Sequence, residues 1–388
     1  MPDPAAAVQA EFVRRFGETP LLVRSPGRVN LIGEHTDYNE GFVLPAAVDK
    51  AIYFGLSPRT DGRCELYALD LKDSFRGELA RLEKSGKQWP DYLLGVVDQL
   101  QKAGHVVPGF NCVFGGDVPI GSGMSSSAAI EAGLAFALNR LFRLDIPPLD
   151  LVKLARKAEN EFVGVQCGIM DQFVNIFGRA GHVLKLDCRS LAHTYYPFDR
   201  RDLRIVLCDT KVKRELASSE YNVRRRQCEE GVSLLARHQP GMKSLRDASP
   251  ELLERYRAEF DPLIYKRCLY VVKENERVEE ACRDLERSDF VSFGLRMNKS
   301  HAGLRDDYQV SSIELDVLAE AAQAVRGVLG SRMMGAGFGG CTVNLVEETA
   351  VEALVEAVTR AYRDKMKSDT NVFISRLSAG TGVIPGGA

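Results

Sequence analysis

The 388-residue chain has little of what marks several protein classes. It holds six histidines, one tryptophan and a net charge of only −2, from 51 Lys plus Arg against 53 Asp plus Glu. That balance argues against a surface built to neutralise a phosphate backbone, so any bound anion has to be held by a local site. The nine cysteines are odd in number and scattered, with no C-x-x-C pair. Disulfides and a structural zinc are therefore not expected, and the thiols read as those of a reduced, cytoplasmic protein. No apolar run is long enough to span a bilayer. The opening "MPDPAAAVQAEFVRRFG" carries acidic residues and reads as an amphipathic helix, not a signal peptide. There is no internal repeat, and no G-x-x-x-x-G-K followed by Ser or Thr, which argues against a P-loop enzyme.

What is present is a mixed pattern. Hydrophobic residues make up 45% and charged residues 27%, as in an ordinary globular chain able to bury a sizeable core. The length suits two domains. Periods of 2 and 3.6 alternate, which points to a mixed α+β or α/β fold. Leu93, Val96, Val97 and Leu100 form a helical stripe stopped by Gly104, and Phe110, Cys112 and Phe114 alternate as a strand. Further helices are expected at 130–141, from Asp150 as N-cap to Phe162, at 211–236, 250–287 and 316–328, and over 351–358. Strands are expected at 182–188, 203–209 and 341–346, with the domain boundary between the first two of these.

Three stretches carry chemistry. In "DVPIGSGMSSSAAIEAG" (117–133), Gly121 and Gly123 free the backbone to approach a ligand, and three serines sit where a helix begins. A helix N-terminus offers unpaired N–H groups and positive dipole, so a phosphate cradle is favoured over a serine-capped helix after a flexible turn. The second glycine of a hydrolase elbow, G-x-S-x-G, is absent. In "KAENEFVGVQCGIMDQF" (157–173), Glu159 shares an inward face with Ala155, Ala158 and Phe162, and Asp171 follows among Ile169, Met170 and Phe173. Inward carboxylates are costly unless paired or holding a cation. Near a phosphate cradle they suit a Mg²⁺ ligand and a catalytic base better than two separate ion pairs. In "PGRVNLIGEHTDYNEG" (26–41), a short apolar strand runs into Glu34, His35, Thr36 and Asp37. Several short polar groups on one turn suit sugar hydroxyls, and Arg28 lies on the strand face of Asn30. A zinc or iron centre built on His35 and Asp37 carries little weight, because no other histidines form a ligand-like pair. Gly335–Gly340 satisfies G-x-G-x-x-G, but a helix is expected before it and a strand after it, the reverse of a dinucleotide site.

Together and in this order, these residues resemble the galactokinases of the GHMP small-molecule kinase superfamily. "GRVNLIGEHTDYNEGFVLP" is similar to the galactokinase signature, "PIGSGMSSSAAIE" to the ATP-binding second motif and "SRMMGAGFGGCTV" to the glycine-rich third; "SSEYNVRRRQCEE", "CGIMDQF" and "NKSHAGLRDDYQVSSIELD" also look like family stretches. The resemblance implies a two-domain GHMP-kinase-like fold with the active site between the domains. An N-terminal α/β domain, 1–190, would hold the sugar loop, phosphate loop and catalytic Asp; a C-terminal α+β domain, 191–388, would hold the third motif. It implies ATP-dependent phosphorylation of the anomeric hydroxyl of galactose, with Mg²⁺. Gly121, Ser122, Gly123, Met124, Ser125, Ser126 and Ser127 would wrap the nucleotide phosphates, and Ser127 and Glu159 would hold the metal. Glu34, His35, Thr36, Asp37, Gly168 and Tyr221 would bind the sugar, with Asp171 as base and Arg28 stabilising charge.

Two residues depart from the family pattern, Met334 where Thr is frequent and Ala336 where Gly is common, and the tail "LSAGTGVIPGGA" diverges and is expected to be flexible. The alternatives are a kinase for N-acetylgalactosamine, another galactose derivative or arabinose, and a non-catalytic sugar and ATP sensor. A sensor has no reason to keep Arg28, Glu159 and Asp171 together. Nucleic-acid binding through Lys211, Lys213, Arg214 and Arg224–Arg226 is disfavoured, because Glu215, Glu220, Glu229 and Glu230 accompany them. No nucleic-acid, membrane or obligate protein partner is expected.

Overall fold

The computed structural model describes residues 3–119, 121, 123–198, 200–212 and 217–385, with side chains in the last segment from residue 220. Ser122, Lys213, Arg214 and Glu215 of the sequence reading lie outside the described residues. The chain divides into two compact units. The first comprises residues 1–28, 47–180 and 378–388, and the second residues 29–46 and 181–377. The sequence reading put the 29–46 loop in the first half and the tail in the second. Both cross over, because the chain enters the second unit early for one loop and returns to the first at its end.

The first unit is built on a six-stranded sheet in the order Gly382–Val383, Leu21–Asn30, Pro45–Pro58, Phe110–Gly116, Arg63–Ala68, Asp73–Glu78. Its helices include Pro4–Phe16, Gln88–Lys102, Ser126–Phe142, Pro148–Lys157 and Met170–Phe177. The first helix shows why such segments form. Asp3 caps its N-terminus, Pro4 occupies the first helical position where no N–H partner is lost, and Gly17 closes it in the left-handed region. Val8 and Phe12, one turn apart, bury with Leu22 and Val113 in a local core.

The second unit contains an antiparallel sheet in the order Val328–Met333, Cys341–Glu347, Leu203–Asp209, Asn371–Ser375, and a three-stranded sheet Phe42–Val43, His182–Asp187, His193–Pro197. Long helices Ala217–Ala236, Pro262–Glu286, Phe290–Asp306, Ile313–Gln323 and Val351–Met366 accompany them. Val206 and Cys208 of the sheet pack with Leu318, Ala322, Leu354, Val358 and Tyr362 in one core cluster. Among the described residues no helix is long and apolar enough to cross a membrane.

Several expected boundaries move. The helix expected from Asp150 starts at Pro148 with Pro147 as its cap, so Asp150 sits in the first turn, and after Lys157 the helix widens into a π-turn over Ala158–Val163. The 250–287 segment is broken after Arg255, since Pro262 begins a new helix behind its own cap, Asp261. Ser312 caps the helix expected at 316–328, which ends at Gln323. Val328–Met333 is a strand, so a strand precedes the glycine-rich loop as well as follows it. The expected flexibility of the tail does not hold for 378–385. Val383 and Gly382 pair with Val23 and Arg24, and Thr381 Oγ1 donates to Asn175 Oδ1 at 2.6 Å.

Candidate active site

In the first unit a polar group assembles where the strand Leu21–Asn30 meets the start of the helix Ser126–Phe142. Arg28 binds Asp171 through two parallel bonds, Nε to Oδ1 at 2.7 Å and Nη2 to Oδ2 at 2.6 Å. Such a fork fixes both planes and is about twice as strong as a neutral hydrogen bond. The Arg28 Nη1 donates to the carbonyl of Gly123, and its backbone N–H donates to Met124 O at 3.0 Å. Asp171 itself lies in the first turn of Met170–Phe177.

Ser125 stands at the N-cap of the following helix but does not cap it. Its backbone is left-handed, at φ 59° and ψ 62°, and its hydroxyl donates to Asp171 Oδ2 at 2.6 Å. A non-glycine residue held there is strained, a feature that concentrates at working sites. With the Ser125 hydroxyl turned to Asp171 and no cap bond from it to the helix, the first N–H groups are not spent on Ser125, as the cradle reading requires. Gly121 and Gly123, at φ 80° and 77°, make the turn that leads in.

Glu159 is buried on the π-turn. Its Oε2 accepts from Gln172 Nε2 at 2.8 Å and from Cys167 Sγ at 3.2 Å, and Ser127 lies within hydrogen-bonding reach. Burial raises its pKa against the lowering effect of these donors. No cationic side chain forms an ion pair with it among the described residues. Among them there is also no cluster of three or more His, Cys, Asp or Glu able to hold a metal. Gly168 lies in the half-buried loop between Glu159 and Asp171.

The second unit carries the 34–37 loop. Gly33, at φ 97°, makes the entry turn, and a Cβ there would sit 2.7 Å from Phe42 O. Glu34 Oε1 accepts from Arg332 Nη2 at 2.8 Å and from the Gly335 N–H at 2.9 Å. His35, itself at φ 63°, donates from Nε2 to Ala336 O at 3.2 Å. Its Nδ1 accepts from the Tyr38 hydroxyl at 2.8 Å, and Tyr38 meets Tyr308 at 2.6 Å. Burial pushes the His35 imidazole down to about 3, so it is neutral. Thr36 turns inward, its hydroxyl held between Gly33 O and Phe42 O at 2.8 and 2.6 Å, which makes it a brace for the loop. Asp37 is half-buried at the start of a short 3-10 turn. The Tyr221 ring lies 5.8 Å from that of His35 and 5.0 Å from that of Tyr38.

Sequence reasoning missed the supports of this loop. Arg332 is fully buried and donates to Leu31 O, Asn30 O and Met333 O as well as to Glu34. Glu274 Oε1 holds the Gly33 N–H at 3.0 Å, and Asn275 Oδ1 holds that of Phe42 at 2.8 Å. The Arg224–Arg226 run splits. Arg224 is buried with its Nε donating to Tyr308 O at 3.0 Å, while Arg225 pairs with Glu229 outside. A lone arginine between Ser331 and Met333 in a strand was the available signal for Arg332.

The N-terminal and C-terminal domains of GHMP kinases match residues 91–179 and 281–364, which makes the chain a kinase of that class. A mevalonate kinase from Methanococcus jannaschii shares the fold at 17% identity and TM-score 0.67, over 93% of this chain and 99% of that one. The galactokinase galactose-binding signature matches residues 10–58. A galactokinase of Roseiflexus sp. is 44% identical over 97% of this chain and 96% of its own. The crystal structure of a Lactococcus lactis galactokinase complexed with galactose matches at 36% identity and TM-score 0.92, over 98% of this chain and 99% of that one. The chain belongs to the galactokinase family.

Proposed function

We propose that the protein transfers the γ-phosphoryl group of ATP to the anomeric hydroxyl of D-galactose, giving galactose 1-phosphate and ADP. The observation that carries this reading is the Arg28–Asp171 fork tied by Ser125 to an uncapped helix start, in a member of the galactokinase family. The uncapped N–H groups and the backbone of Gly121–Ser127 bind phosphate oxygens. Arg28 answers the charge that spreads over the transferring group. Asp171 takes the proton of the anomeric hydroxyl. Phosphoryl transfer asks little covalent chemistry of the protein, so the carboxylate's part is to stand where the attacking hydroxyl can give up its proton. Glu34, Asp37 and Tyr221 read the sugar hydroxyls, with Gly168 contributing its backbone, while His35, whose ring nitrogens are spent on Ala336 O and the Tyr38 hydroxyl, fixes the shape of the loop. Positioning of this kind can supply about 7–11 kcal/mol of barrier reduction.

Ser127 and Glu159 fit Mg²⁺. Both are oxygen donors, Glu159 is a buried carboxylate with no ion-pair partner among the described residues, and Mg²⁺ commonly uses one or two protein ligands beside substrate phosphates. When bound, the metal would neutralise phosphate charge. The two-domain division of the family supports reading the first unit as the phosphoryl-handling part and the second as the part bearing the sugar loop.

The test is ADP release with ATP and Mg²⁺ on galactose, glucose, N-acetylgalactosamine, galacturonate and arabinose, with the phosphate position read by NMR. Turnover on galactose giving the anomeric phosphate is expected. Turnover only on another sugar overturns the substrate, and binding of sugar and ATP without turnover overturns catalysis.

A further inference from the structure

In the second unit two buried guanidiniums, Arg224 and Arg267, are spent on one short turn, residues 307–309. Arg224 Nε donates to Tyr308 O at 3.0 Å and its Nη2 to Gln309 O at 2.8 Å. From the helix Pro262–Glu286, Arg267 donates through Nη1 to Asp307 O and through Nη2 to Gln309 Oε1 at 2.7 Å. Taking two like charges out of water onto one turn is costly. The turn is also strained, with Gln309 in the left-handed region at φ 53°. A residue keeps such a conformation only where its surroundings over-determine it, and the two arginines do so here.

The turn reaches the sugar-reading residues in two ways. Through its side chain, the Tyr308 hydroxyl meets that of Tyr38 at 2.6 Å, and Tyr38 holds His35 Nδ1 at 2.8 Å, which steadies the 34–37 loop. Through its main chain it holds Arg224, and with it the helix Ala217–Ala236. Tyr221 stands three residues before Arg224 on that helix, so the two are neighbours on one face. Glu220, one residue further back, accepts from Arg224 Nη1 at 3.2 Å. All three nitrogens of Arg224 are thereby engaged and its side chain is only 8% exposed, so its part is to hold the helix and not to bind a ligand.

We propose that Arg224 is a positioning residue for sugar recognition, which by fastening its helix to the carbonyls of Tyr308 and Gln309 sets Tyr221 against His35 and Tyr38. The fork matters as well as the charge, because an ammonium offers a compact point in place of the plane that spans the two carbonyls. The inference rests on Tyr221 as a reader of sugar hydroxyls.

The test is a double-mutant cycle on Arg224→Met and Tyr221→Ala, read as the galactose dissociation constant by isothermal titration calorimetry. Each single variant should bind galactose about 3–10-fold more weakly, the worth of roughly one hydrogen bond. In the Tyr221→Ala background, Arg224→Met should weaken binding by less than about twofold further, since no ring is left for it to place. Losses that multiply in full would mean that Arg224 acts on the site by another route, and would overturn the proposal. Wild-type affinity in Arg224→Met, with weakened binding in Tyr221→Ala, overturns it too. Wild-type affinity in Tyr221→Ala overturns the reading of Tyr221 itself, and the role of Arg224 with it. Should Arg224→Met fail to fold, Arg224→Lys, which keeps the charge and loses the fork, decides by the same cycle.

Discussion

Glu34→Ala should injure the fold as well as sugar binding, and the size of the injury follows from Arg332. That guanidinium is completely buried, and Glu34 is the carboxylate paired with it, at 2.8 Å. Removing one partner of a buried ion pair typically costs about 3–5 kcal/mol, since the remaining charge stays dry and uncompensated. Here three carbonyls, Asn30 O, Leu31 O and Met333 O, keep their bonds to Arg332, which favours the lower end of that range. At about 2–4 °C per kcal/mol for a unit of this size, a loss of about 3 kcal/mol lowers Tm by roughly 6–12 °C. Differential scanning calorimetry on Glu34→Ala measures it directly. The double variant Glu34→Ala with Arg332→Met removes the stranded charge and should recover a substantial part of the loss. A Tm within about 2 °C of wild type for Glu34→Ala would refute the reasoning, because it would mean that the guanidinium is not relying on this carboxylate. In the surviving fraction KM for galactose should rise.

Asp171→Asn should fold and bind galactose but lose about 10²–10⁴-fold in kcat, the range for a general base; normal turnover would remove Asp171 from that role. His35, held down at about 3 against an unfolded value near 6.5, is neutral in the folded protein and gains a proton on unfolding across that interval. Its stabilising contribution is therefore complete above pH 6.5 and is lost as pH falls toward 3. Urea melts of wild type and His35→Gln should converge by about 2 kcal/mol between pH 7.5 and 5.0, and a constant gap counts against a buried neutral imidazole. In the glycine-rich loop, Ala336→Gly should leave Tm nearly unchanged. Gly337→Ala should lower Tm, because Gly337 is at φ 87° and its Cβ would strike Val310 O. Equal effects of the two substitutions would show that the loop is not packed as described.

The sequence revealed more of the chemistry than of the scaffold. Glu159 and Asp171 announce themselves because a carboxylate among apolar neighbours is expensive unless it is paired or holds a cation, and Arg28 because it shares a strand face with Asn30 beside the polar loop. The same cost attaches to Glu131 and Arg332, which sit among equally apolar neighbours. Long-range pairing was illegible. Nothing local shows that Gly382 and Val383 join Arg24 and Val23, or that a loop at 29–46 leaves the unit in which its strands begin. The tail reads as flexible because it diverges from the family pattern, a preference drawn from local sequence alone. Backbone pairing with the edge of an existing sheet outweighs that preference. The π-turn at Ala158–Val163 was likewise invisible to a search for period 3.6, although it is what carries Glu159 into its pocket.

The departures in the third motif find their reason in the first. Glu34 binds the N–H of Gly335 and His35 binds the carbonyl of Ala336, so the 34–37 loop grips the glycine-rich loop by its main chain. A side chain at 336 is irrelevant to that grip. Ala336 is also absent from the left-handed positions, which fall on Gly335, Gly337, Phe338, Gly339 and Gly340. Alanine is therefore admissible at this one place in the run. Met334 is buried, and its N–H is spent on Cys341 O at 2.9 Å, so its side chain serves packing and its backbone closes the hairpin. Two segments some three hundred residues apart in the chain thus constrain each other through backbone atoms. That coupling makes the tolerance of position 336 a consequence of geometry, and it locates the intolerance at the glycines whose φ is positive.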